Sequence, residues 1–171
     1  MRTRIVRTAA AAAAAALAGL AACARHEGPS GTPGQPAIDG SRTSGGITYR
    51  AETLVLESYP VQLRTIVTAT NGTAAPVKLH TGGCEAFIRA YRTADRSGTP
   101  AWDQRYAVAC TKILKTFDFG PGQSVKLTMG TTARDILGDS LPNGRYYLSV
   151  VPATDESVVV PAGDVQLDVP R

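Results

Sequence analysis

The chain has 171 residues, of which 43% are apolar, 6% aromatic and 19% charged, a composition that suits one globular domain. Its formal net charge is +4, and the three basic residues of the first 22 positions account for most of that excess. A chain so near neutrality elsewhere, with no block of Lys and Arg, lacks the basic surface that nucleic-acid backbones require, and no later apolar stretch approaches the roughly 20 residues of a membrane-spanning helix.

Residues 1–22 predict a lipoprotein signal peptide. A basic start is followed by the apolar run 9–20, which has the length of a secretory h-region and is too short to cross a bilayer. The run ends in Leu20-Ala21-Ala22-Cys23, which resembles the bacterial lipobox. We therefore expect cleavage before Cys23, lipidation of its thiol, and anchoring at the outer membrane or at the outer face of the cytoplasmic membrane. The alternative is an ordinary cleavage site at which Cys23 is incidental.

Residues 23–46 predict a disordered tether. They are rich in Gly, Pro, Ser and Thr, and Ile38 is their only large aliphatic residue. Such a stretch buries too little apolar surface to offset the entropy of ordering it. A flexible chain of this length has a root-mean-square reach of roughly 25 Å. The folded domain is expected to comprise residues 47–171.

Short apolar stretches with β-branched and aromatic residues recur through residues 47–171, separated by turn signals. This pattern is typical of an all-β fold, an antiparallel sandwich or barrel. The predicted strands are 48–56, 61–70, 77–80, 86–92, 101–106, 112–119, 124–129, 145–151 and 164–169, with one helical turn at 132–137. Turns are predicted at 71–72, 95–98, 120–122 and 142–144. Strict alternation predicts a buried face formed by Val125, Leu127, Met129, Tyr146, Leu148 and Val150, with Tyr147 and Ser149 pointing away.

Cys84 and Cys110 are the cysteines that remain after lipidation of Cys23. Thiols oxidise in exported proteins, so we expect a disulfide between them. On the chain-entropy argument, closing residues 84–110 contributes about 3.5 kcal/mol of stability. A redox-active pair is the alternative, which the absence of Cys-x-x-Cys spacing disfavours.

The sequence contains few residues of the types that form catalytic or metal sites. His80 is the sole histidine after the tether, no Gly-x-Ser-x-Gly elbow accompanies it, and a histidine at a strand end is typically a surface hydrogen-bonding residue. One histidine and two disulfide cysteines supply too few ligands for zinc. We expect no enzyme activity, no metal and no cofactor, with an envelope hydrolase built around His80 as the least favoured alternative.

Protein-binding candidates are aromatic residues and residues near predicted turns. Trp102 is expected either to pack on the core or to be exposed as an anchor for a partner. Tyr59 and Pro60 lie between two predicted strands, Arg96 lies in the turn before Trp102, and Tyr106 follows it. These five residues are the candidate contact sites.

Several motifs occur in a suggestive order between residues 49 and 151. They are Asn71-Gly72-Thr73 with Pro76-Val77-Lys78-Leu79, Glu85-Ala86-Phe87, Asp95-Arg96-Ser97-Gly98 with Ala101-Trp102, Phe119-Gly120-Pro121-Gly122-Gln123-Ser124, and Leu141-Pro142-Asn143-Gly144-Arg145-Tyr146. In this order they resemble the BsuPI-type intracellular proteinase inhibitor family. The resemblance implies an immunoglobulin-like antiparallel β-sandwich of about 7–9 strands. It also implies inhibition of a protease by a rigid loop, for which the tips at 59–60 and 96–100 are candidates.

The sequence therefore predicts a lipid-anchored binding protein of the cell envelope, which engages a protein partner, a protease in the sharpest version, through loops or a sheet edge. The main alternative is an accessory or assembly subunit of an envelope complex that gains affinity by strand addition at an exposed edge.

Overall fold

The computed structural model describes residues 37–58 and 61–170, which form the antiparallel β-sandwich that the sequence predicts. The described part of the chain contains ten strands, one more than the upper predicted number. Their bounds are β1 Ala37–Ser44, β2 Ile47–Ser58, β3 Val61–Asn71, β4 Val77–Thr81, β5 Ala86–Tyr91, β6 Trp102–Asp103, β7 Lys115–Phe119, β8 Ser124–Thr132, β9 Gly144–Pro152 and β10 Val160–Leu167. A 3-10 turn spans Gln104–Tyr106, and the helical turn α1 spans Ala133–Leu137.

Two four-stranded sheets enclose the core. The first has the order β1-β2-β3-β8, the second has the order β10-β9-β5-β6, and β4 and β7 form a separate two-stranded ribbon. Strands β3 and β8 pair although they are distant in sequence, and so do β5 and β9, which is the Greek-key crossing of an immunoglobulin-like sandwich. Both sheets contribute fully buried side chains to one apolar cluster, among them Leu63, Val67, Ile88 and Leu148.

The predicted alternation is confirmed in β8 and β9, with one exception. Leu127, Tyr146, Leu148 and Val150 are buried, and Val125 and Met129 are partly buried. Ser149, which alternates with the buried Leu148 and Val150, is not exposed as that alternation predicts, because only 1% of it is accessible. It lies on central strand β9 between Arg89 of β5 and Pro161 of β10, and these longer neighbours shield its short side chain.

The start of the fold differs from the prediction. Residues 37–46 were assigned to the tether, whereas the structure has strand β1 paired with β2. A two-residue hairpin joins these strands, since Ser44 pairs with Ile47 and both Gly45 and Gly46 have positive φ angles. Strand β1 consists mostly of polar residues and glycine, so its sequence lacks the apolar alternation from which the other strands were predicted.

The region after β5 also differs. The strand predicted at 101–106 is reduced to Trp102–Asp103, because Gln104 turns inward instead of continuing the ladder. Its side-chain oxygen accepts from the Ile88 amide at 3.0 Å, and its nitrogen donates to the Gly130 carbonyl at 2.9 Å, which joins the two sheets. The strand predicted at 112–119 begins only at Lys115.

Two other elements follow the prediction more closely. Helical turn α1 begins after Thr132, whose hydroxyl and Asp135 form a capping box. Positive φ angles occur at Arg96, Gly98, Gly122 and Gly144, within three of the four predicted turns.

The last strand begins at Val160, four residues before its predicted start at 164. No helix in the described ranges is long and apolar enough to cross a bilayer.

Candidate partner-binding surface

The predicted site residues have different outcomes. Cys84 and Cys110 form the expected disulfide, with their Cα atoms 5.4 Å apart. Cys23, Tyr59 and Pro60 lie outside the described residues, so their roles stay predictions.

Arg96 is fastened to the second sheet. Its φ angle is 52°, and its guanidinium donates to the carbonyls of Leu148 and Gly163 at 3.0 and 3.1 Å. The same group lies 5.8 Å from the centre of the Tyr147 ring. These contacts fix the 95–98 turn against β9 and β10 and give Arg96 a structural role, whereas its contact with a partner stays a prediction.

Trp102 lies at the wall of a groove. It pairs with Ala90 on β5, is half-buried and packs against the apolar core. The groove has a volume of about 570 Å³ and is also lined by Pro100 and Tyr106. Tyr106 is 87% exposed, and its ring lies 5.6 Å from the Arg105 guanidinium. Trp102 thus combines core packing with a face on the groove, and Tyr106 is the accessible aromatic residue.

A charge cluster lines this groove. The Asp103 side chain is only 4% exposed, and it accepts from Arg89 at 2.9 Å and from Arg105 at 2.7 Å. Burial acts to raise the pKa of Asp103, but the hydrogen bonds from Arg105 and Arg89 outweigh it and hold the pKa below its usual value. The hydrogen bond with Asp103 in turn raises the pKa of Arg105. An aspartate bound by two guanidiniums is suited to fixing the groove wall and is a poor proton acceptor.

The most exposed large apolar side chains, apart from Tyr106, lie in residues 107–114, here called the 107–114 loop. Ile113 is 64% exposed and Leu114 is 70% exposed. The sequence placed both residues inside a strand, and that assignment is wrong. They are instead presented to solvent just before β7.

The amino-terminal side of the exposed segment is fixed at two neighbouring residues. The disulfide ties Cys110 to Cys84, and the next residue, Thr111, accepts a hydrogen bond of 2.9 Å from the amide of Gly83. No side chain separates the two backbones, because position 83 is glycine.

The carboxyl-terminal side is fixed by β7. Lys115 pairs with Thr81 in the ladder, and its ammonium lies 2.8 Å from Glu85. The other oxygen of Glu85 accepts from the Thr128 amide on β8 at 2.8 Å. Burial acts to raise the pKa of Glu85, but the bonds from Lys115 and Thr128 prevail and lower it. Glu85 thereby connects the end of the loop to the first sheet.

The Gly83–Thr111 hydrogen bond and the Thr81–Lys115 pair are joined by two stretches of chain of different length. On one side, only Gly82 separates Thr81 from Gly83, whereas on the other side Lys112, Ile113 and Leu114 separate Thr111 from Lys115. A regular antiparallel ladder would match one residue with one. The two surplus residues must leave the ladder, and the segment 112–114, here called the protruding segment, is exposed throughout.

His80 lies on the same ribbon. Its Nδ1 is 3.0 Å from the Thr116 hydroxyl, and its side chain is exposed. Within the described residues, no group of three or more His, Cys, Asp or Glu side chains has the arrangement to hold a metal ion.

Sequence reasoning missed the protruding segment and the Asp103 cluster. The apolar pair Ile113-Leu114 resembles the start of a strand, and only the positions of the disulfide and of the Gly83 bond show that it lies outside the ladder. The cluster joins β5 to the 3-10 turn, a pairing that residue spacing does not indicate.

No protein-family model matches the chain, and neither does any curated protein. Similarity to solved structures includes a β-glucosidase involved in saponin metabolism from intestinal bacteria, at 10% identity, covering 79% of this chain and 16% of that one with a TM-score of 0.37. A β-glucosidase from Kluyveromyces marxianus is similar at 10% identity, covering 79% and 14% with a TM-score of 0.35. The chain thus spans about a sixth of these enzymes or less, and likeness at this level assigns no function.

Proposed function

We propose that this protein is a lipid-anchored binding module of the cell envelope, which engages a protein partner through the protruding segment 112–114, in the manner of a proteinase inhibitor. The observation that carries the proposal is the exposure of Ile113 and Leu114 on a stretch of chain fixed at both ends.

Exposure of these two side chains is costly unless a partner covers them. Burying a large aliphatic side chain contributes about 1.5–3 kcal/mol, which the free protein forgoes at both positions. Fixing both ends of the segment reduces the conformational entropy that binding must remove. An apolar protrusion whose two ends are fixed is therefore favourable for binding a concave protein surface.

The proposed location rests on residue chemistry. The lipobox ending in Cys23 supports a lipid anchor, and the Cys84–Cys110 disulfide is in keeping with an oxidising compartment. Residues 24–36 would serve as the tether that separates the domain from the membrane.

Strand addition at a sheet edge has less support. The outer edge of β8 has one amide occupied, because Thr128 donates to the Glu85 carboxylate. The outer strand of the same sheet, β1, has an irregular register between Ile38 and Ser41. Side-chain capping and bulges are devices that protect edges against pairing. Both observations favour loop-mediated binding over an assembly role based on edge pairing.

The full chain, with a carboxyl-terminal affinity tag, should be purified from detergent-solubilised envelopes of its own host. We expect the wild type to retain a specific protein partner and the double variant Ile113→Ala/Leu114→Ala to lose most of it. Leu56→Ala is the matched control, because Leu56 is 47% exposed on β2. Equal capture by the double variant and the control would overturn the proposal.

The anchor is tested separately by Cys23→Ser. We expect the wild type in the membrane fraction and the variant in the soluble exported fraction. Retention of the variant in membranes would contradict lipidation at Cys23.

A further inference from the structure

We infer that the partner is a trypsin-like serine protease and that Lys112 enters its primary specificity pocket, with the Lys112–Ile113 peptide bond presented to the catalytic serine. This inference rests on the proposed function and names the class of partner.

The first support is the position of Lys112 in the chain. It directly follows Thr111, the last fixed residue before the protrusion, and β7 resumes after two further residues at Lys115. Residues 112–114 have no helical or strand assignment and lie outside the ladder that resumes at Lys115, so a protease cleft can approach this stretch of backbone. The bond after Lys112 lies inside the part that leaves the ladder.

The second support is the freedom of the lysine ammonium. The two other lysines of the ribbon are engaged, Lys78 with Asp118 at 3.5 Å and Lys115 with Glu85 at 2.8 Å. Among the described residues, no ion pair or hydrogen bond involves the exposed side chain of Lys112. An exposed lysine without an internal partner is the side chain that a trypsin-like pocket, with its buried aspartate, accepts.

The third support is the apolar sequence after the lysine. Ile113 and Leu114 are exposed by 64% and 70% and would be covered in the leaving-group half of the cleft. A basic residue followed by two aliphatic residues thus offers one charged anchor and two apolar contacts in a row.

The fixed ends explain why this loop would inhibit and not simply be digested. Hydrolysis adds one water across the Lys112–Ile113 bond and yields a carboxylate on Lys112 and an amine on Ile113. Thr111 stays bound to Gly83, and Lys115 stays in β7, so the new ends remain close to each other. The bond can re-form with release of that water, and the cleaved protein leaves the protease slowly.

The test is titration of trypsin and chymotrypsin with the purified full chain, with residual activity followed on a small chromogenic substrate. We expect stoichiometric inhibition of trypsin, a loss of about 100-fold or more in affinity for Lys112→Ala, and transfer of inhibition to chymotrypsin for Lys112→Leu. Lys126→Ala, an exposed lysine on β8, is the matched control and should inhibit trypsin as the wild type does.

Mass spectrometry of the same mixtures identifies the bond that trypsin attacks. Rapid, complete cleavage after Lys112 without inhibition would make the loop a substrate and overturn the inference. Inhibition that persists in Lys112→Ala would also overturn it. Absence of inhibition, together with loop-dependent capture of another envelope protein, would overturn the protease assignment and leave the proposed function standing, whereas loss of both would reject both.

Discussion

Gly83 and Thr111 are in direct backbone contact at the base of the protruding segment. The Gly83 amide donates to the Thr111 carbonyl at 2.9 Å. A Cβ atom on residue 83 would lie 2.9 Å from the Thr111 nitrogen and would collide with the Thr111 hydroxyl. The position of the loop therefore depends on the absence of a side chain at residue 83.

Gly83→Ala is expected to lower the free energy of unfolding by about 1–3 kcal/mol, because the Thr111 backbone must move to admit the methyl group. The same displacement should weaken partner capture by the protruding segment. Urea unfolding followed by circular dichroism measures the first effect, and the envelope purification measures the second.

Gly82→Ala is the control for that substitution. A Cβ atom there would lie 3.5 Å from the Thr111 carbonyl oxygen, which is ordinary contact. Its effect on stability should be small, or stabilising by about 0.4–1 kcal/mol through the unfolded state. Equal destabilisation by the two alanines would show that the close approach at Gly83 is not what matters.

The disulfide is expected to stabilise the domain and to hold the loop. Replacing both Cys84 and Cys110 by Ser should lower the free energy of unfolding by about 3.5 kcal/mol, since the unfolded chain is no longer cross-linked. Reductant should destabilise the wild type by a similar amount and leave the double variant unchanged. Sensitivity of the double variant to reductant would show that the reductant acts on something other than this disulfide.

The parts of the fold that sequence predicts are those set by local chemistry. Leu127 and Tyr146 were assigned to the core by alternation, and both are fully buried. Thr132 and Asp135 form a capping box at the predicted helical turn. In each case the signal spans a few residues and acts through a local interaction, so no knowledge of the partner strand is needed.

The parts that it misses depend on contacts between distant residues. Strand β1 has little apolar character. The hydroxyl of its last residue, Ser44, donates a hydrogen bond of 2.7 Å to Asp155, which is more than a hundred residues away in the chain. Ile113 has the composition of a strand residue but lies outside the ladder because of the bond between Gly83 and Thr111. The residues next to Ile113 in sequence do not determine which residues of the two strands pair, so the protruding segment could be identified only from the structure.

Gln104 gives a stability prediction of its own. Its side chain is 2% exposed and satisfies the Ile88 amide of one sheet and the Gly130 carbonyl of the other. Gln104→Leu leaves both backbone groups without that partner and should cost roughly 2–4 kcal/mol. Gln166→Leu, at an exposed position on β10, is the matched control and should change stability by less than about 0.5 kcal/mol. Thermal and urea unfolding compare the two, and similar losses would contradict the bridging role of Gln104.

Asp103 makes the domain sensitive to acid. Its pKa is lower in the folded protein than in the unfolded chain, so its contribution to stability is fully present above the unfolded value near 4 and is lost as the pH falls through the folded value. Asp103→Asn should lower the free energy of unfolding at pH 7 by roughly 2–3 kcal/mol, less than for a fully buried pair because Arg89 and Arg105 are 15% and 25% exposed.

The difference between the wild type and Asp103→Asn should therefore shrink as the pH falls from about 5 to 2, since protonation removes from the wild type the charge that the variant already lacks. Urea unfolding at intervals of pH measures this difference. Asp118→Asn is the control, because Asp118 is 64% exposed beside Lys78 and such a pair contributes at most about 1 kcal/mol. A gap for Asp103→Asn that stays constant down to pH 2 would mean that its charge is not what stabilises the groove wall, and the loss at neutral pH would then reflect altered packing of the two arginines.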